Sequence, residues 1–520
     1  MLEPTVGGGA LRALADLEHG ASSWRRAGVR RGVMPRSLVR RRDVAHAPNA
    51  RALVLAACCG ALLSSGCDGW RRAQPHEVPM NSRAELATVP GARSTRPRET
   101  GAVRTFDIVA APTTLSLLDG RALDVWAYDG QVPGPTLRAS LGDRVRVRIT
   151  NGLPQPTSIH WHGIRLENAM DGVPGVTQAP IAPGESFTYE FVARDAGTFW
   201  FHPHTRGSEQ IERGLHGTLV IDDPAEPRVR EAVWVLDDWR LDASGAIDPA
   251  FVTRHDLAHD GRWGRAITIN GRIGHREPIA PGERVRVRIV NVANGRVFAP
   301  RVVGADARIV AFDGRPSDAP LTLDRLEIAP GNRVDLELIA PPEANADVRV
   351  VDAFARNITL ARFEVAGAPA NAEASPFPTS SAPDWRAAVA LAPDLTYELG
   401  ARRGGPYGLE WTLNGEAMRE GATGHAHAAR DRVSLGAFVK MRFVNTSARL
   451  HPMHLHGQFF RVLARDGVAV DEQHWRDTVL VHPRETVDIG VVAEDAGTWA
   501  LHCHVLEHHD SGMMTVVEVL

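Results

Sequence analysis

The stretch Leu141-Gly-Asp-Arg-Val-Arg-Val-Arg-Ile-Thr-Asn151 returns as Pro281-Gly-Glu-Arg-Val-Arg-Val-Arg-Ile-Val-Asn291 and, more loosely, as Leu435-Gly-Ala-Phe-Val-Lys-Met-Arg-Phe-Val-Asn445. Counted from Gly142, Gly282 and Gly436, the copies stand 140 and 154 residues apart. Self-similarity at such a period means related modules in series. Within each copy, apolar and polar side chains alternate after a Gly turn, which is the pattern of a half-buried strand. A second repeat, Asp195-Ala-Gly-Thr198 against Asp495-Ala-Gly-Thr498, ties the first module to the third. Outside the N-terminal leader no long stretch carries a 3.6-residue period, and Pro-Gly and Asn-Gly turns punctuate short strands. The expected fold is all-β, with three Greek-key β-barrel or sandwich domains at about 101–224, 225–368 and 385–520. Asp223-Pro224 to Pro227 marks the first joint, and the Pro/Ala/Ser-rich stretch Ala366 to Pro383 marks the linker at 369–384.

Composition narrows the class. The chain has 520 residues, 23% charged and 43% hydrophobic, as a globular protein of several domains does. A net charge of −3, with no basic tract beyond the N-terminus, argues against a nucleic-acid partner. No apolar run reaches the ~20 residues that a membrane-spanning helix needs. Of four cysteines, Cys58, Cys59 and Cys67 precede the body and only Cys503 lies in it, so the body cannot close an internal disulfide.

Residues 1–67 read as an export signal behind an unexplained extension. Arg36, Arg40, Arg41 and Arg42 form a basic region, and Ala52 to Leu63 an apolar core of signal-peptide length. Leu63-Ser64-Ser65-Gly66-Cys67 approximates a lipoprotein cleavage site, with Cys67 as the lipid-bearing residue. Arg41-Arg42 offers a twin-arginine alternative, and Met34 an alternative start. The expected location is periplasmic or at the cell surface. Residues 68–100, polar and proline-bearing, read as a tether.

The histidines are grouped. His160-Trp161-His162-Gly163, Trp200-Phe201-His202-Pro203-His204, His451-Pro452-Met453-His454-Leu455-His456-Gly457 and His502-Cys503-His504 each hold a His-x-His pair. On a strand, residues i and i+2 face the same way, so each pair presents two imidazoles together. Eight imidazoles suit copper, zinc, iron or nickel alike. Cys503 separates these: its sulfur faces away from His502 and His504, His508 follows five residues on, and Met513 can add a weak thioether. Two histidines, a cysteine and an axial methionine make the blue-copper arrangement. His46, His76, His216, His255, His259, His275, His425, His427 and His474 fall outside these motifs and read as surface or loop histidines.

With all four motifs in order over about residues 101 to 520, the chain resembles the three-domain multicopper oxidases, a family of cupredoxin-fold enzymes that includes laccases. The resemblance implies four copper ions per chain. His451, Cys503, His508 and Met513 match its type 1 ligands, and His160 and His454 its type 2 ligands. His162, His202, His204, His456, His502 and His504 match the type 3 pair. The first and third domains would share the three-copper cluster, and the middle one would be a spacer. A reducing small molecule would give electrons near an exposed type 1 histidine, His508 or His451, and O2 would be reduced to water. Asp171 matches the family's proton-relay acid, with a plain turn in Met170-Asp171-Gly172 as the alternative. A second family acid is replaced by His509, so His509, Glu507 or Asp510 is the candidate there. Because Met418, Met441, Met453, Met513 and Met514 of the third domain form no methionine-rich segment, phenols or aromatic amines are the expected donors. A cuprous or ferrous oxidase, and a copper-binding protein without turnover, are the alternatives. A monomer is expected.

Overall fold

The structure is a computed structural model that describes residues 76–520 apart from 81–82, 95–96, 371–378, 380–381, 422–423, 426–430 and 473. The expected export signal, twin-arginine pair, Cys58, Cys59, Cys67, His46 and His427 lie outside the described residues, as does most of the second linker. Among the described residues no helix is long and apolar enough to cross a membrane.

Six sheets of four or six strands, with one two-stranded hairpin, form three cupredoxin-like sandwiches. The first pair of sheets spans Val103–Asp222, the second Arg230–Val365 and the third Leu395–Val519. The three repeated stretches occupy the same place in each sandwich. Arg144–Asn151, Arg284–Asn291 and Phe438–Asn445 each pair in parallel with an earlier strand and antiparallel with a later one. The asparagine closing each copy has one task three times over. Asn151, Asn291 and Asn445 donate through Nδ2 to loop carbonyls, and each Oδ1 accepts the backbone N–H two residues on. A side chain that satisfies both edges of a turn fixes where the strand stops.

The copies differ in burial. Arg144–Asn151 alternates as expected, whereas Arg284–Asn291 is buried throughout. Its arginines tolerate burial because Arg284 pairs with Glu337, Arg286 with Glu226, and Arg288 with Glu231 and Asp335. The expected tether is also different where described. His76–Val78 adds in parallel to Asp431–Val433 as an edge strand of the third sandwich. Arg83 bonds Asp394 at 2.7 Å, and the Trp385 indole donates to the Leu86 carbonyl at 3.0 Å.

One apolar cluster of buried residues runs from the first sandwich into the third, including Ile159 and Trp161 of one and Trp499, Leu501 and Cys503 of the other. The middle sandwich has its own core around Trp234, Val287 and Phe298. A shared core locks the two histidine-bearing modules face to face.

Candidate metal centre

The strand His160–His162 pairs antiparallel with Gly197–His202, setting His160 opposite His202. The strand His451–Leu455 pairs antiparallel with Gly497–Cys503, setting His454 opposite His502 and Met453 opposite Cys503. Period-2 geometry then sends His160 and His162 to one face of the first module, and His502 and His504 to one face of the third. The shared core brings these faces together. The rings of His160 and His456 stack at 3.8 Å, and those of His162 and His454 at 3.7 Å. His204 Nε2 lies 3.4 Å from His502 Nε2, and His456 Nε2 3.0 Å from His502 Nε2. All eight histidines, His160, His162, His202, His204, His454, His456, His502 and His504, are at most 2% exposed.

The outer nitrogens of this chamber are held from behind. His160 Nδ1 donates to the Asp171 carbonyl at 2.8 Å, His454 Nδ1 to the Asp477 carbonyl at 2.9 Å, His202 Nδ1 to the Pro203 carbonyl at 2.9 Å and His502 Nδ1 to the Cys503 carbonyl at 2.9 Å. His456 Nδ1 lies 2.8 Å from Asp171 Oδ2. Such bonds fix the tautomer and aim the other nitrogen inward. Burial, reinforced by the neighbouring imidazoles, keeps His162, His202, His456, His502 and His504 well below the usual histidine range, so they are neutral donors. His160 Nε2, His202 Nε2 and His454 Nε2 are buried with no hydrogen-bond partner among the described residues. Buried imidazole nitrogens that converge without a hydrogen-bond partner are what a metal cluster requires, and the residues fit one. Three triplets, His160–His162–His202, His160–His454–His456 and His204–His456–His502, bring their donor atoms within 4.8 Å of one another.

On the other face of Gly497–Cys503, Cys503 Sγ lies 3.6 Å from His451 Nδ1 and 3.8 Å from His508 Nδ1, and the two nitrogens are 3.3 Å apart. Cys503 is a free, buried cysteine. Burial raises its thiol far above the ordinary value, so the thiolate needs a cation beside it. Burial likewise pushes His508 down to about 3. Met513 is fully buried, and its backbone pairs with Cys503 and His508 at 3.0 Å each. The donor set of this pocket also fits a metal.

The expectation of an exposed histidine here does not hold. His451 and His508 are both 0% exposed. His508 Nε2 donates to the His259 carbonyl at 2.9 Å, and His451 Nε2 lies 2.9 Å from the Ser447 hydroxyl. Trp411 covers both rings at 4.2 Å and 4.7 Å. The physical reason is a turn of the middle domain, after the short helix Arg254–Leu257, which lies over the pocket; Asp260 in it also accepts the Leu450 N–H at 2.9 Å.

Asp171 sits in the expected turn, with its carboxylate against the chamber. It ends a 3-10 turn before Gly172, whose φ of +79° leaves no room for a side chain against the Ile159 carbonyl, and its carboxylate is 2% exposed against His456 and His160. Of the three candidates for the second acid, Glu507 turns to the middle domain, accepting from Arg262 N–H and Asn294 Nδ2. His509 lies beside the chamber, its ring 4.9 Å from His204 and 4.8 Å from His502, with Nδ1 3.0 Å from Asp510 Oδ1. Asp510 in turn accepts from the Ser208 N–H and hydroxyl. His216 and His474 are loop histidines, but both are buried. His216 lies 3.6 Å from Asp237, and His474 stacks on Phe312 at 4.2 Å.

Several contributors carry no motif. The middle domain supplies no imidazole to either cluster, yet it is more than a spacer. Its Arg333 holds Asp477 at 2.6 and 2.9 Å, and Asp477 Oδ1 is 3.2 Å from His162 Nε2. Burial alone would raise the Asp477 carboxyl, but Arg333 and the His454 hydrogen bond hold it well below the usual range. Gly331, at φ +90°, lets the backbone pass where a Cβ would stand 2.9 Å from the His162 ring.

Family profiles described as multicopper oxidase match residues 110–226, 230–350 and 407–520. The chain is 31% identical over 530 residues to multicopper oxidase MmcO of Mycobacterium tuberculosis, covering 92% of this chain and 96% of that one. It is 26% identical over 518 residues to Laccase-2 of Cryptococcus neoformans, covering 80% and 86% respectively. The crystal structure of a multi-copper oxidase from Pseudomonas thermotolerans superposes with a TM-score of 0.72 at 33% identity, over 81% of this chain and 100% of that one. All-β sandwiches carrying these two histidine clusters define an oxidoreductase class with O2 as acceptor. The chain belongs to the multicopper oxidase family, and the family implies copper for the clusters and a small-molecule reductant as partner.

Proposed function

We infer that this protein is a laccase-like oxidase, coupling four one-electron oxidations of a phenol or aromatic amine to the reduction of O2 to two waters. The reading rests above all on one strand: Cys503 meets His451 and His508 on one face, while its neighbours His502 and His504 enter the eight-histidine chamber on the other. His451, Cys503 and His508, with Met513 as axial thioether, would hold the type 1 ion. His160 and His454 would hold the type 2 ion, and His162, His202, His204, His456, His502 and His504 the type 3 pair. Bound copper supplies one-electron redox chemistry and the reduction of O2.

The chain's own part is geometry, burial and protons. The Cys503 backbone gives a short covalent path between the faces of the strand. Burial keeps His162, His202, His204, His454, His456, His502 and His504 unprotonated. The Asp171 carboxylate, whose Oδ2 accepts from His456 Nδ1, would relay protons at the chamber wall, and the His509–Asp510 pair lies by His204 and His502 as a second carrier. Donors would meet the outer side of the turn that covers His508. Two facts favour organic donors: the third domain has no methionine-rich segment, and the relatives include proteins named laccases. Export to the periplasm or cell surface belongs to the same reading.

The test is O2 uptake by copper-loaded protein with a panel of phenols, aromatic amines, Cu(I) and Fe(II). The reading expects fastest uptake with phenols or aromatic amines. Uptake confined to the metal ions would overturn the donor assignment.

A further inference from the structure

The turn that covers the type 1 pocket carries two exposed histidines that the mechanism does not use. His255 lies on the helix Arg254–Leu257 and His259 on the turn that ends it, an i, i+4 pair. That spacing places two side chains as neighbours on one helical face, and two histidines so placed can reach one ion. Their rings lie close, 4.2 Å between centroids and nearly parallel at 18°, and a turn of the exposed His255 ring would aim its nitrogen at the ion that His259 faces. The His255 side chain is 74% exposed, and His259 is exposed as well.

What makes the pair more than a surface accident is the direction of its bonds. His259 Nδ1 donates to the His255 carbonyl at 2.8 Å, so its proton is committed inward and the Nε2 lone pair faces out. His255 Nδ1 faces Asp256 Oδ1 at 3.6 Å, and Asp256 is fixed by Arg240 and by the Thr253 capping box. A backbone carbonyl behind Nδ1, as His259 has, is the support that metal-binding histidines carry. The same His259 carbonyl accepts the His508 Nε2–H, so the site stands directly outside the type 1 pocket.

We propose that His255 and His259 form an additional surface site for one divalent transition-metal ion, held through both Nε2 atoms, with water completing its coordination. Two imidazoles select borderline ions such as Ni2+, Cu2+ or Zn2+ and have little affinity for Mg2+ or Ca2+, which demand oxygen donors.

The experiment titrates Ni2+ calorimetrically into the copper-loaded enzyme, with Mg2+ as a second titrant, and repeats it with His255→Ala and His259→Ala. Both substitutions leave the His259 carbonyl in place, so the blue absorption reports that each variant is folded and loaded. The expected result is a Ni2+ site in the unsubstituted enzyme that weakens at least tenfold in either variant, and no Mg2+ binding there. Isotherms that superpose for all three proteins would overturn the proposal, as would Mg2+ competing equally for the site. A blue centre absent from the unsubstituted enzyme would instead refute the type 1 reading, and the Ni2+ comparison would stand apart from it.

Discussion

The two metal-binding regions are built in opposite ways. The eight-histidine chamber exists only where the first and third modules meet, and every contact that closes it is long-range: His160 on His456, His162 on His454, His204 against His502. The Cys503 pocket is assembled within one module, from His451, Cys503 and His508, and the middle domain merely roofs it through His259 and Asp260. The chamber therefore depends on how modules dock, and the pocket on two strands and one short helix of a single module. Changes at the interface should strip the chamber and spare the pocket; changes at the thiol should do the reverse.

The largest effect is expected from Cys503→Ser. It removes the thiolate from the pocket and the link to the chamber together, so the blue absorption and O2 uptake should both vanish. Retention of either would refute the assignment. Next comes Asp477→Asn. It takes from Arg333 the nearer of two buried carboxylates, leaving Asp313 at 3.5 Å, and leaves guanidinium N–H groups unpaired, which costs about 1–3 kcal/mol. Thermal unfolding should fall accordingly and copper should be lost from the chamber, with the blue band retained. Equal loss from both regions would erase the distinction between them.

Acid should act through the same buried groups. His508 is pushed down to about 3, below the ~6.5 of an unfolded histidine. Between those values the unfolded chain binds the proton and the folded chain does not, so stability falls as pH drops from about 6.5 to about 3, by up to ~1.4 kcal/mol per pH unit for each such histidine. Burial shifts His162, His202, His204, His454, His456, His502 and His504 in the same direction. Asp477, held low, adds stability above the ordinary carboxylate range that is lost on further acidification. Copper-free protein should show a falling Tm over this window, and copper should lessen the fall. A Tm independent of pH there would contradict the burial argument.

Gly331→Ala sharpens the contrast more gently. A left-handed backbone costs a side chain about 1–2 kcal/mol, and the new methyl would press on His162 and His504. The Tm should drop by a few degrees and chamber copper should fall, with the pocket spared. The smallest effect belongs to Trp411→Phe, which keeps a ring over His451 and His508 but loses the indole bond to the Leu257 carbonyl. About 0.5–1.5 kcal/mol is at stake, read as a slight Tm shift with the blue band retained.

Much of this could be read in the chain because it is written in strand periodicity. The Gly-led repeat marks the central strand of each module, and His-x-His at period 2 fixes which imidazoles share a face. Cys503 between two histidines necessarily points the other way. What could not be read lies where modules touch. Asp477, Arg333 and Gly331 have no spacing relation to the histidines they support, since the relation exists only after docking. The same holds for His259, which covers a His508 ring whose sequence pattern suggests exposure, while Trp411 covers it from within the third module. The buried arginines of Arg284–Asn291 mislead for a related reason: their alternation looks half-exposed until their acidic partners are known.

The most direct test of the link between pocket and chamber is the donor-to-O2 stoichiometry of copper-loaded protein in a closed cell, with peroxide measured alongside. Four donor equivalents consumed per O2, with no peroxide released, is the predicted result. Two equivalents per O2 with peroxide accumulating would contradict it.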